Sequence, residues 1–224
     1  MNTVQYLGHS AFRLQLENLV ILIDPAVGST VLGSPRRIAS ALDPHAVKEC
    51  DLILLTHEQP DHCEPDVVKE IAERTFATVV APKPCLAKID ISERFKVDVR
   101  AGDKFTIKGL DIEVVRAVYP QSSYPVGYIL RSARYGVYHA GATYSYPDMA
   151  RIKCDVALVP IGGTYTMDPF AAANVCKEMR PKYAIPMHFN TCERINQEVS
   201  EFTADLGSHT KAIVLSVGQT AKLP

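Results

Sequence analysis

The sequence predicts one α/β domain, residues 1–224, in which two β-sheets lie face to face with helices on their outer sides. Three observations predict it. Short β-like segments come first and dominate the chain. Helical segments follow strands in both halves. No low-complexity stretch or long linker divides the chain, and no short-period repeat appears.

In order, TVQYL (3–7), AFRLQL (11–16) and LVILID (19–24) read as strands separated by Gly-His-Ser and Glu-Asn turns. Residues 26–50 read as irregular, with room for a short helix. DLILLT (51–56) is an apolar run of buried-strand type. EPDVVKEIAERT (64–75) reads as a helix, because Pro65 suits a first turn and Val67, Val68 and Ile71 share a face. ATVVAP (77–82) returns to strand. FKVDVR (95–100), KFTIKG (104–109), LDIEVVRAV (110–118), VGYILRS (126–132) and YGVYHAG (135–141) read as a meander of strands. YPDMARI (146–152) is a short helix and DVALVPI (155–161) another buried strand. MDPFAAANVCKEMRP (167–181) is a helix with Asp168 as N-cap, Pro169 in the first turn and Pro181 past the end. KYAIPMH (182–188) reads as strand, INQEVSEFTADLG (195–207) as helix and KAIVLS (211–216) as the last strand.

Hydrophobic residues make up 47% and charged residues 22%, ordinary for a globular protein, and the formal net charge of −1 offers no field for nucleic acid or an anionic membrane. No apolar run approaches the roughly 20 residues that span a bilayer. Cys50, Cys63, Cys85, Cys154, Cys176 and Cys192 form no CxxC pair and follow no secretory leader, which predicts reduced thiols and a cytoplasmic protein.

The chemistry gathers in DLILLTHEQPDHCEP (51–65). A buried strand delivers the chain to a loop, and His57, Asp61 and His62 lie within six residues of each other. Imidazole and carboxylate are ligands of catalytic zinc or iron, and adjacent Asp61 and His62 can turn towards one centre. His188 ends another apolar strand and could close the set. Hydrogen bonding at strand ends accounts for the same residues, so spacing alone leaves a metal site and a polar loop both open. No P-loop, GxGxxG or GxSxG occurs.

GHSAFRL, LIDP, LLTHEQPDHCEPD, YHAGATYSYPDM and PIGGTYTMDPFAAANVCKEMRPKYAIPMHFNT follow one another as do the landmarks of the metallo-β-lactamase superfamily. The sequence most resembles its small metal-dependent hydrolase-like branch, which includes proteins similar to ascorbate-6-phosphate lactonase. The resemblance implies a four-layer αββα sandwich with a metal cleft at one edge of the sheets. It also implies a T-H-x-H-x-D-H motif, from which this chain departs: Gln59 stands at the second histidine. Gln121 is nearest the place of a mid-chain histidine, and Ala142 stands where H-A-G-D-T supplies a bridging aspartate.

By that resemblance, one metal would use His57, Gln59 and Gln121, and neutral amides are poor zinc ligands. The other would keep Asp61, His62 and His188, an adequate shell for one zinc when water completes it. The expected cofactor is therefore one divalent metal, zinc before manganese or iron, or none.

His57 completes the shell or acts as a base, and Asp61 is the second candidate for the chemistry. His9 and His139 are expected to hydrogen-bond beside the site. Asp24 is expected to orient a histidine or cap a turn, and Glu58 to be solvated. Thr164, in the GGTYTMD turn, either holds a substrate oxyanion or belongs to a plain strand–helix connection. The expected function is metal-dependent attack of water on a small-molecule ester, lactone or phosphoester. The alternative is an inactive member that binds or regulates. A homo-oligomer is compatible with either; nucleic acid and membrane partners are not expected.

Overall fold

The computed structural model describes residues 2–133 and 135–223. The first sheet begins with β1 (Thr3–Gly8), β2 (Ala11–Leu16) and β3 (Leu19–Ile23), which pair antiparallel. After a two-residue hairpin of β4 (Thr30–Val31) and β5 (Ser34–Pro35), the chain returns through β6 (Leu52–Leu54), β7 (Thr78–Ala81) and β8 (Lys96–Asp98), all parallel to β3. The second sheet opens as the expected meander: β9 (Lys104–Ile107), β10 (Leu110–Arg116), β11 (Val126–Arg131) and β12 (Gly136–His139). Parallel strands β13 (Val156–Pro160), β14 (Tyr183–Met187) and β15 (Lys211–Ala212) extend it. The last strand, β16 (Thr220–Lys222), crosses back to pair with β1, so each sheet has seven strands.

Period-2 patterning builds the layers. In β6, Leu52 and Leu54 face the second sheet, joining Ile112, Val114, Tyr128 and Leu130 in the main core. The intervening Ile53, with Leu55, faces the other way, onto helix α1 (Pro65–Thr75) through Val68, Ile71 and Ala72. A one-turn helix α2 (Lys83–Leu86) follows β7. Beyond the second sheet, α3 (Pro169–Met179) and α4 (Val199–Asp205) bury Ala172, Cys176, Met179 and Phe202. The result is two sheets between helical layers, the αββα arrangement. Asp168 caps α3, its side chain accepting from the Ala171 N–H at 2.8 Å.

Several elements differ from expectation. The helix expected over 195–207 forms only at Val199–Asp205. Asn190 and Gln197 exchange side chain–backbone hydrogen bonds (2.8 and 3.0 Å) and hold the preceding chain extended. The strand expected over 211–216 shrinks to Lys211–Ala212, and β16 carries no apolar run that would announce it. FKVDVR pairs only at Lys96–Asp98. The 26–50 segment holds the β4–β5 hairpin and a single 3-10 turn at Pro44–Ala46. Among the described residues, no helix is long and apolar enough to cross a membrane, and all six cysteines are free.

Candidate metal centre

The site lies where strand ends of both sheets meet. His9 sits in the β1–β2 turn, Asp24 follows β3, Thr56 to His62 follow β6, and His188 follows β14. His9, Asp24 and His188 have φ of 58°, 47° and 57°, the left-handed region that residues with a Cβ seldom occupy. The His188 N–H donates to the His9 carbonyl at 2.7 Å, locking the two sheets together at this edge. Gly162 makes the approach possible, since a Cβ there would stand 2.3 Å from the His188 carbonyl oxygen.

Asp24 organises the first-sheet side. Its carboxylate accepts from the Thr56 N–H (2.8 Å), the Thr56 hydroxyl (2.7 Å) and His62 Nδ1 (2.7 Å). Burial pushes its carboxyl above the ordinary range, and these donors occupy its oxygens as acceptors. With its hydroxyl proton given to Asp24, Thr56 Oγ1 accepts from His57 Nδ1 at 3.0 Å. Both His57 and His62 therefore carry their proton on Nδ1 and turn a bare Nε2 the other way. Burial pushes both imidazoles down to about 3, with the neighbouring His62 adding to the effect on His57.

His188 and His9 complete the cluster. The His188 ring lies 3.9 Å from that of His9 and 5.4 Å from that of His62, and burial holds its pKa well below the usual value. His9 shares a 2.8 Å hydrogen bond between Nδ1 and Thr191 Oγ1. Its Nε2 lies 3.3 Å from Asp61 Oδ2, out of line for a good hydrogen bond. Asp61 also accepts from the Leu32 N–H at 3.1 Å. Burial would raise the Asp61 carboxyl, but His9 and the surrounding imidazoles hold it well below the carboxylate range.

The nitrogens left over define what this site can hold. His9 Nε2, His57 Nε2, His62 Nε2 and both nitrogens of His188 are buried without a hydrogen-bond partner. Ligand atoms of His9, His62 and His188 all lie within 4.8 Å of one another. Unpaired buried polar atoms are costly, and a cluster of imidazoles with bare nitrogens is the donor set of a divalent metal. The Asp24 and Thr191 hydrogen bonds on the far nitrogens are the supports that metal-binding histidines commonly have. The residues present fit such an ion.

Other expected residues fall elsewhere. Gln59 turns outward, its Nε2 donating to the Gln121 carbonyl at 2.7 Å, and Ala142 is buried without a carboxylate to offer. His139 uses both nitrogens, on the Ser10 carbonyl (3.0 Å) and the Gly141 N–H (3.2 Å). The Thr164 hydroxyl donates to the Arg194 carbonyl at 2.6 Å. Glu58 is not simply solvated: it accepts from the Ser122 hydroxyl and from the Ser123 N–H and hydroxyl, pinning the loop that carries Gln121. His9, expected only as a hydrogen-bonding neighbour, stands inside the cluster. Its signal in sequence is a histidine in a two-residue turn, and only the left-handed backbone aims that ring at His188. A cleft of about 400 Å³ opens over Asp61, lined by Leu32, Gln59, Tyr119, Tyr165 and Arg194 among others.

Comparison with known proteins gives the family. Residues 3–188 match the family model of the β-lactamase superfamily domain. The chain is 34% identical over 236 residues to a UPF0173 metal-dependent hydrolase of Caldivirga maquilingensis, covering 100% of this chain and 99% of the relative. It is 36% identical over 237 residues to the corresponding protein of Pyrococcus furiosus, covering 100% of each. Among solved structures it is similar to Igni18, a metallo hydrolase of Ignicoccus hospitalis, with a TM-score of 0.81 and 29% identity over 98% of this chain and 97% of the other. With its fold, its strand-end histidines and its relatives in agreement, the chain belongs to the metallo-β-lactamase superfamily.

Proposed function

We propose that this protein is a hydrolase of small-molecule esters, lactones or phosphoesters that works with one divalent metal, zinc before manganese or iron. The observation that carries the reading is the set of bare, buried imidazole nitrogens on His9, His62 and His188 within 4.8 Å of one another. These three residues, with Asp61 beside them, would hold the ion. Bound there, it would supply Lewis acidity and make water more acidic.

The chain's own groups supply the rest. Asp24 and Thr191 fix the His62 and His9 rings. His57 keeps its proton on Nδ1 through Thr56, so its Nε2 is the position that can accept and pass on a proton. Its ring packs edge-on against Tyr119 at 4.8 Å, which shields that nitrogen from bulk water. The setting is a cytoplasmic protein with small-molecule rather than nucleic-acid or membrane partners, as charge and cysteine usage support; a homo-oligomer is compatible.

Elemental analysis of the protein after dialysis against zinc, manganese or iron tests the reading. About one metal per chain is expected, lost in His188→Ala. No retained metal under any condition sinks it. A second reading, a non-catalytic binding protein, draws on Gln59 and Ala142 standing at two family ligand positions. Metal-loaded protein that turns over nothing on an ester, lactone and phosphodiester panel would favour it.

A further inference from the structure

The cleft over Asp61 has two charged side chains in its lining, Asp61 on the floor and Arg194 at the rim. Arg194 is held in place. Its Nη1 donates to the Leu32 carbonyl at 3.0 Å, its Nη2 to the Tyr165 hydroxyl at 3.4 Å, and its guanidinium lies 5.8 Å from the Tyr165 ring centre. Thr164 fixes its backbone from below. Among the described residues no carboxylate lies within ion-pair distance of it, as is also true of Arg36 and Arg116, so what sets Arg194 apart is its place at the rim of this cleft. Even the adjacent Glu193 turns to Arg37 instead, at 4.0 Å.

One residue connects this cation to the metal centre. Leu32, at φ 50° in the tip of the β4–β5 hairpin, gives its N–H to Asp61 and its carbonyl to Arg194. A guanidinium has five N–H donors in a planar fork, and two are engaged here, so three remain for an oxyanion. With an ion on the histidines offsetting Asp61, Arg194 leaves the cleft net positive.

Resting on the hydrolase reading above, we propose that Arg194 is the anchor for a substrate oxyanion. The cleft then takes a small ester, lactone or phosphoester that also carries a carboxylate or phosphate group. The oxyanion sits on the Arg194 fork between the hairpin tip and Tyr165, and the bond to be cleaved lies on the Asp61 side. The volume of about 400 Å³ suits a small metabolite.

The test titrates inorganic phosphate and acetate into the full chain by calorimetry, zinc-loaded and chelated, with zinc content measured on the same samples. Arg194→Gln is expected to weaken binding at least about tenfold, with Arg194→Lys in between, while zinc content and melting temperature stay those of the unsubstituted protein. Phosphate binding without acetate binding assigns a phosphate-bearing substrate; binding of both admits carboxylates. Anion binding unchanged in Arg194→Gln overturns the assignment, as does failure of both anions to bind. Should Arg194→Gln misfold, Arg194→Lys and Tyr165→Phe carry the same comparison. If zinc is never retained but phosphate binding still depends on Arg194, the hydrolase reading fails and the anchor stands. Zinc retained with anion binding indifferent to Arg194 is the reverse.

Discussion

The two halves of this site start from the same strand ends and finish differently. On one side His9, His62 and His188 crowd together with bare nitrogens, and Asp61 touches His9. On the other, His57 alone keeps a bare nitrogen, because Gln59 has spent its amide on the Gln121 carbonyl and Ala142 brings no polar atom. A buried polar atom without a partner is tolerated where something else compensates it. The two sides therefore differ in how many buried nitrogens each leaves unpaired, and the proposed ion belongs with the side that leaves more.

The largest expected effect breaks that contrast directly. His62→Ala and His188→Ala each remove a central donor, and bound metal should fall from about one per chain to near zero. His57→Ala should keep the metal and lose most turnover, on the order of 100-fold for a group that moves a proton. Metal analysis beside activity on any responsive ester separates the two. Metal lost in His57→Ala and kept in His62→Ala would reverse the assignment of the halves.

A smaller effect comes from the support of a ligand. Asp24→Asn keeps the shape but weakens the acceptor for His62 Nδ1, and removing such a partner typically costs about 10–100-fold in metal affinity. Competition with a chelator measures it. An unchanged affinity would mean that Asp24 serves the Thr56 turn rather than the ion.

Chelation sharpens the comparison by acidity. Burial holds His57 and His62 neutral in the folded chain down to about 3, while in the unfolded chain histidine takes a proton near 6.5. Below 6.5 the unfolded state binds more protons, so stability falls as pH drops, by up to about 1.4 kcal/mol per histidine per pH unit. Asp24, raised by burial, takes up its proton first in the folded state and offsets part of the loss. The urea midpoint of the chelated protein should therefore drop from pH 7 to pH 5. His57→Gln and His62→Gln should each flatten that slope by a similar amount.

How much of this was legible in the sequence follows from which forces act locally. Pro65 in the first turn of α1, the Asp168 cap of α3, the alternation in β6 and the strand-end position of His57, Asp61 and His62 are written in neighbouring residues. The sandwich and the ligand motif are therefore readable from the chain itself. His9 was legible as a hydrogen-bonding neighbour of the site but not as a member of the cluster, since its place depends on a left-handed φ and on a hydrogen bond to His188 from the other end of the chain. The same holds for β16, whose three residues matter only because β1 offers them an edge. Glu58 looked like a surface charge because its partners lie 64 and 65 positions away.

The smallest expected effect concerns Gln59 itself. If its amide belongs to the loop and not to an ion, Gln59→Ala loses one exposed hydrogen bond to Gln121, worth about 1 kcal/mol or less, and leaves metal content unchanged. Glu58 still holds that loop through three hydrogen bonds to Ser122 and Ser123, so the loop should keep its place. Thermal melting and metal analysis of one variant settle both points. A clear drop in metal content would put Gln59 back among the groups that hold the ion and erase the difference between the two halves. An unchanged content with a slightly lower melting temperature leaves Gln59 a strut of the loop rather than a group that holds the ion.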